Sequence, residues 1–253
     1  GREVFPDLGY IADHPANQWI RSTPAHNTVT VDEVSRYADG SGTVNAFCAE
    51  GPVRFVDITT PVEGLKHFRR AIALIRKPDG LPVLVDVFDV AGGHIHDYQM
   101  RVNDSDVRFR VPGVRLKARD EGLYAGASQF PLQGFRTGGL GKAPFAAVWG
   151  RAQKVRATVL TPCDEMITYH TPAWRDFKEV FHAPRKAFDT LVLRNKWLES
   201  RFVVVYELYR GRPSLRRIEL EEVDPEVSVR LFGLKRGERF RVRIGEESTP
   251  CVS

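Results

Sequence analysis

Two side chains able to bind a metal ion or move a proton stand near the start of the chain. Asp7 lies in Phe5-Pro6-Asp7-Leu8-Gly9-Tyr10, and His26 lies in Arg21-Ser22-Thr23-Pro24-Ala25-His26-Asn27-Thr28-Val29-Thr30-Val31-Asp32. Each sits at the edge of a strand-like pattern, where a carboxylate and a neutral imidazole can converge on one ion, and both suit zinc. Two ligands do not complete a tetrahedral site. A plainer reading makes Asp7 a turn residue before Gly9 and His26 a strand-start residue bonded to backbone. Arg21, the arginine nearest His26, could grip a ligand carboxylate with its two-pronged guanidinium, as could Arg69 and Arg70; the alternative is a solvated loop arginine. Tyr10 and Trp19 offer either a flat apolar platform for a sugar ring or two core side chains.

Other chemistry is thinner. His94-Ile95-His96 places two imidazoles at i and i+2, a spacing metals use, but a run after Gly92-Gly93 reads more simply as a loop with surface histidines. His67, His170 and His182 stand alone, as satisfied structural histidines do, and His14 lies in a Pro-bounded loop from which it could reach a substrate. No Gly-x-Ser-x-Gly elbow and no Walker-type loop occurs. Paired carboxylates for glycoside hydrolysis depend on a spatial separation and stay open at this point. Cys48, Cys163 and Cys251 are odd in number, far apart and without CxxC spacing, so they read as small buried apolar residues.

Strands must position these groups. Period-2 alternation runs through residues 28–32, 53–57, 70–76, 155–160, 190–193, 200–206 and 239–244. Lys77-Pro78-Asp79-Gly80, between residues 70–76 and 82–88, predicts a hairpin, because Pro presets φ and Gly accepts a positive φ. Helical periodicity is almost absent; residues 174–179 could form one turn. Gly138-Gly139-Leu140-Gly141 is the best loop candidate, and no linker or fixed repeat divides the chain. The expectation is an all-β protein with very little helix: a single domain over residues 1–253, built as a large antiparallel, supersandwich-like β-sandwich.

Composition agrees with a folded domain. Of 253 residues, 42% are hydrophobic and 27% charged, and 37 Lys and Arg against 32 Asp and Glu give a net charge of +5. That excess favours acidic ligands, but the basic residues are scattered through strands and no nucleic-acid motif occurs. No stretch approaches the roughly 18 apolar residues of a membrane span. The chain opens without Met and passes at once into Val4 and Phe5, as expected of a piece of a longer protein; a signal peptide on that parent would make it periplasmic or secreted.

The run from Arg21 to Asp32, preceded by the Asp-x-Gly-Tyr element at Asp7, resembles the start of the C-terminal β domain of the heparinase II/III-like family of polysaccharide lyases. Arg69-Arg70-Ala71-Ile72-Ala73-Leu74-Ile75, residues 81–90, Gly92-Gly93-His94-Ile95-His96-Asp97-Tyr98 and residues 200–207 extend the likeness. The resemblance implies a role in β-elimination on a uronic-acid-containing polysaccharide, with an α/α toroid preceding the β domain and the site between them. It implies Asp7 and His26 as ligands of a structural zinc. A third ligand and a catalytic His would come from a His-x-His-Ala-Asp element upstream of Asp7, and the Tyr and the Asn or His that act on the sugar would come from the toroid. Arg21, Asn27, Tyr10 and Trp19 would then face substrate, and the chain would not act alone. Such chemistry requires a neutralised carboxylate, a base at the C5 proton and an acid at the leaving oxygen. The expected partners are an acidic polysaccharide, the toroid and further copies of the chain, with neither nucleic acid nor membrane. The rival expectation is a non-catalytic carbohydrate-binding or interdomain packing module.

Overall fold

The structure, a computed structural model, describes residues 3–7, 16–102, 110–120, 122–124, 132–139, 143–150, 153–172, 187–223, 226–233, 239–244 and 250–252. The helix α1 (Asn17–Ile20) and a 3-10 turn (Thr23–Ala25) precede the strands. In chain order these are β1 (Val29–Val31), β2 (Thr43–Cys48), β3 (Val53–Thr59), β4 (His67–Arg76), β5 (Pro82–Ala91), β6 (His96–Arg101), β7 (Lys117–Ala118), β8 (Gln133–Gly139) and β9 (Phe145–Trp149). There follow β10 (Gln153–Val159), β11 (Glu165–Pro172), β12 (Ala187–Asn195), β13 (Glu199–Arg210), β14 (Arg217–Val223), β15 (Glu226–Phe232), β16 (Arg239–Ile244) and β17 (Pro250–Val252).

The strands form three antiparallel sheets. The first has the order β1-β6-β12-β11-β8-β7, the second β2-β3-β4-β5-β13-β10-β9, and the third β14-β15-β16-β17. Side chains alternate along a strand, so a strand buried on both faces must be apolar at odd and even positions alike. β5 obeys that rule. Its Val83, Val85 and Val87 join a core with Val227, Val229 and Val242 of the third sheet. Its Phe88 and Val90 join a second core with Tyr98, Met100, Leu191 and Leu193 of the first. The second sheet is therefore the middle layer of an all-β sandwich with a sheet against each face.

The β4–β5 hairpin forms as its turn residues dictate. The Gly80 amide donates to the Lys77 carbonyl at 2.9 Å, and Gly80 has φ +78°. Gly138 and Gly139, expected in a loop, instead end β8. A Cβ on Gly138 would lie 2.7 Å from Val114 and 3.2 Å from Met166, so the glycine serves close packing rather than a turn. Residues 174–179 lie outside the described residues.

Candidate functional site

The segment between α1 and β1 turns because Pro24 enters the 3-10 turn at its start, where a missing N–H costs nothing. The Ala25 amide donates to the Ser22 carbonyl at 3.0 Å and the His26 amide to the Thr23 carbonyl at 3.1 Å. His26 leaves the turn in an extended conformation, and its Nδ1 lies 2.9 Å from Asp7 Oδ1. The two candidate ligands are thus neighbours at the surface, with side chains 38% and 75% exposed. On one tetrahedral zinc, donors at about 2.0–2.2 Å would stand roughly 3.3–3.6 Å apart. The observed separation is shorter than that, the separation of a hydrogen bond. The donor set fits half a zinc site. Among the described residues no third carboxylate, histidine or cysteine completes it.

Beside this pair opens a cleft of about 290 Å³, with a polar lining from Thr23, His26, Thr28 and Arg36 and an apolar one that includes Val62 and Phe68. Arg36 reaches it because the chain doubles back after β1. Asp32 and Glu33 occupy positive φ at +56° and +58°, and the Val34 amide donates to Val31 at 3.3 Å. Two consecutive non-glycine residues there are strained and need fixing from outside. Asp32 Oδ1 accepts the His94 and Ile95 amides at 2.7 and 3.1 Å, Arg36 donates to Asp32 Oδ2 at 3.1 Å, and Glu33 pairs with Arg194. Burial acts to raise the Asp32 pKa, but the two amides and Arg36 hold the carboxyl below its usual value. Nothing around Arg36 in the sequence marks it as a cleft residue, since its place depends on this turn.

The remaining candidates divide. Arg21 is exposed at the end of α1. Asn27 is half-buried and structural in its contacts: its Oδ1 accepts the Arg101 amide at 2.7 Å. Trp19 is fully buried with Ile20, Ala25 and Phe188, so its indole is a core side chain and not a platform open to a sugar. Arg69 and Arg70 are already engaged. Arg69 forks onto Asp57 at 2.9 and 2.5 Å, and Arg70 onto Asp86 at 3.0 and 2.6 Å, which corrects their assignment to substrate carboxylates. His170 does not stand alone, because its Nδ1 lies 2.7 Å from Asp189 Oδ1. Tyr10, His14 and His182 lie outside the described residues.

His96 is not on the surface; it is buried in β6. Its Nε2 must donate to the Gly92 carbonyl at 2.8 Å, leaving Nδ1 to accept from Ser200 Oγ at 2.7 Å. Burial pushes the ring below its ordinary pKa of 6.5, and the Gly92 carbonyl offsets only part of that. The unfolded chain therefore binds a proton near pH 6.5 that the folded chain refuses, so stability is lost as pH falls below about 6.5. His170 has the opposite sign: its bond to Asp189 raises its pKa, so its contribution is present at low pH and fades as pH rises through the folded value. The urea midpoint should drop between pH 7 and 5, and drop less in His96→Gln. Equal acid sensitivity in that variant would exclude His96 as the cause.

The family model for Heparinase II/III-like, C-terminal, matches residues 1–129. No curated protein matches the chain. Among solved structures, heparan sulfate lyase HepC from Pedobacter heparinus gives a TM-score of 0.61 at 11% identity, covering 99% of this chain and 36% of that one. The heparinase III BT4657 gene product gives 0.59 at 14% identity, covering 96% and 34%. A further heparinase III structure gives 0.55 at 13% identity, again covering 96% and 34%. Identities this low show a shared fold, and the chain spans about a third of the length of these structures.

Proposed function

The chain belongs to the heparinase II/III-like family, whose C-terminal model it matches, and from that premise we propose that it is the β portion of a lyase cleaving a uronic-acid-containing polysaccharide by β-elimination. The observation that carries this reading is the Asp7–His26 contact of 2.9 Å at the mouth of the Arg36 cleft. Residues 19 apart in sequence come together there, beside an arginine whose guanidinium is held in place by Asp32 and the Glu63 carbonyl. Asp7 and His26 would hold zinc with a third ligand from sequence preceding Asp7 in a longer protein. The ion would order the strand ends behind the reacting groups. Arg21, exposed near His26, would meet a substrate carboxylate. The base and acid lie outside this chain, so the chain alone is inactive.

The test is absorbance of unsaturated uronate products from heparan, chondroitin, hyaluronan and alginate, with the chain and a longer protein containing it assayed side by side. Product from the longer protein and none from the chain is expected. Zinc stoichiometric with the longer protein should be lost in both Asp7→Ala and His26→Ala. Silence on every substrate, with no bound zinc, would move the assignment to a carbohydrate-binding or packing module.

The middle sheet also leaves room for a partner. On β2, β3 and β4 the face towards the first sheet carries Val44, Phe47, Val56, Ile58, Ile72 and Leu74, and Val44 and Phe47 remain 59% and 70% exposed. β2 is moreover an edge strand. An apolar face at an open edge is a docking or association surface. It suits the helical part of the longer protein, and in the isolated chain it should drive self-association. Light scattering at high concentration should show oligomers that shrink in Phe47→Ser. A clean monomer of the unaltered chain would sink the idea.

A further inference from the structure

We propose that Arg101 and Arg70 are positioning residues, guanidiniums from the two facing sheets that hold the backbone on either side of His26 and so aim its imidazole at Asp7. The inference rests on the reading of Asp7 and His26 as the working pair.

Arg101, in β6, is fully buried. Its Nη1 donates to the Ala25 carbonyl, its Nη2 to the Pro24 carbonyl at 3.2 Å and its Nε to Thr190 Oγ1 at 3.1 Å. Among the described residues no carboxylate lies within ion-pair distance of it. A cation buried among neutral acceptors is costly, and an apolar side chain of similar length would fill the space more cheaply. What the arginine alone supplies is a rigid fork whose donors reach several acceptors at once.

Arg70, in β4, approaches from the other sheet. Two of its nitrogens are taken by Asp86, and the third, Nη1, donates to the Asn27 carbonyl at 2.7 Å. Asp86 is held in turn by the Tyr98 hydroxyl at 2.6 Å, and Tyr98 by the Tyr206 hydroxyl at 2.9 Å. Asn27 closes the arrangement, because its side chain accepts the backbone amide of Arg101 at 2.7 Å. The carbonyls of Pro24 and Ala25 before His26, and of Asn27 after it, are thus tied to two different sheets. His26 rides between fixed points although its own ring is half exposed. A turn of three residues has no comparable stiffness of its own.

Residue-by-residue hydrogen exchange of the 253-residue chain tests this without metal or substrate. In Arg101→Met the amides of Ala25 and His26 should exchange about tenfold faster or more, as expected for loss of charge-assisted hydrogen bonds. The imidazole NMR correlation of His26 should move, while the amides of Val203 and Val205 in β13 keep their rates. Arg101→Lys, which keeps the charge and loses the fork, should behave like Arg101→Met. If Arg101→Met does not fold, Asn27→Ala removes the bridge at a half-buried position and should give the same local acceleration. Unchanged rates at Ala25 and His26, equal acceleration throughout the chain, or full rescue by lysine would each overturn the proposal. None of these outcomes depends on whether the longer protein is a lyase.

Discussion

Asp86→Ala should cost about 3 kcal/mol of folding stability, because it leaves a half-buried guanidinium and a buried tyrosine hydroxyl without their acceptor. Asp86 is fully buried in β5 and accepts Arg70 twice and Tyr98 once. Burial works against the Arg70 charge, and the Asp86 carboxylate more than offsets it, so the guanidinium stays charged in the fold. Without Asp86, Arg70 keeps the Asn27 carbonyl and the face of Phe88, 5.5 Å from the ring centroid, neither of which replaces a carboxylate. The double variant Arg70→Met/Asp86→Leu should regain most of the loss, since an apolar pair of similar volume suffers no desolvation penalty. Urea denaturation with an unchanged m-value would measure both. A single variant within about 1 kcal/mol of the parent would show that the pair is not the anchor it resembles.

That carboxylate is legible in the sequence as a structural one. In Val83-Leu84-Val85-Asp86-Val87-Phe88 a charge interrupts an otherwise apolar strand, and a charge in a core strand requires a partner. Asp57 in Val53-Arg54-Phe55-Val56-Asp57 is the same signal. Together they would have claimed Arg69 and Arg70 as structural, because register places those residues beside the two aspartates. Local chemistry was otherwise legible. The Lys77–Gly80 turn and the strands β3, β4, β5, β10, β13 and β16 all formed where the residue types demanded, and the all-β architecture followed. Strand β2 is not legible in the sequence because four of its six residues are exposed and only Ala46 and Cys48 pack against a core. Sheet membership escaped too: that β1 pairs with β6, and β6 with β12, rests on contacts such as His96 with Val31 and with Asn195, which no local window contains. Asp7 and His26 were marked by resemblance, and only folding brings them within hydrogen-bond distance.

Glu207→Ala should release the third sheet from the other two. Glu207, in β13, is fully buried, and its Oε1 accepts the Ser214 amide at 2.6 Å, the Ser214 hydroxyl at 2.7 Å and the Leu215 amide at 3.1 Å. Its Oε2 accepts Arg156 at 2.6 Å; Lys77 Nζ lies 3.7 Å from Oε1 and 3.3 Å from Asp79 while donating to the Leu208 carbonyl at 2.7 Å. Residues 211–216 lead from the middle sheet into β14, so this one carboxylate fastens the connection on which the third sheet hangs. Removing it leaves the Arg156 guanidinium without its anion and two backbone amides without an acceptor, while Lys77 keeps Asp79, a loss of about 3–5 kcal/mol. The apolar contacts of Val227, Val229 and Leu231 with Val83 and Val85 would remain, but without a fixed connection to hold their register. No tryptophan lies in residues 217–252, so tryptophan fluorescence reports on the sandwich and far-ultraviolet circular dichroism on every strand. In the parent the two transitions in urea should coincide, as they do for one cooperative unit; in Glu207→Ala the dichroism should begin to fall first. Coincident transitions at parental stability would show that burial against the middle sheet holds the third sheet by itself.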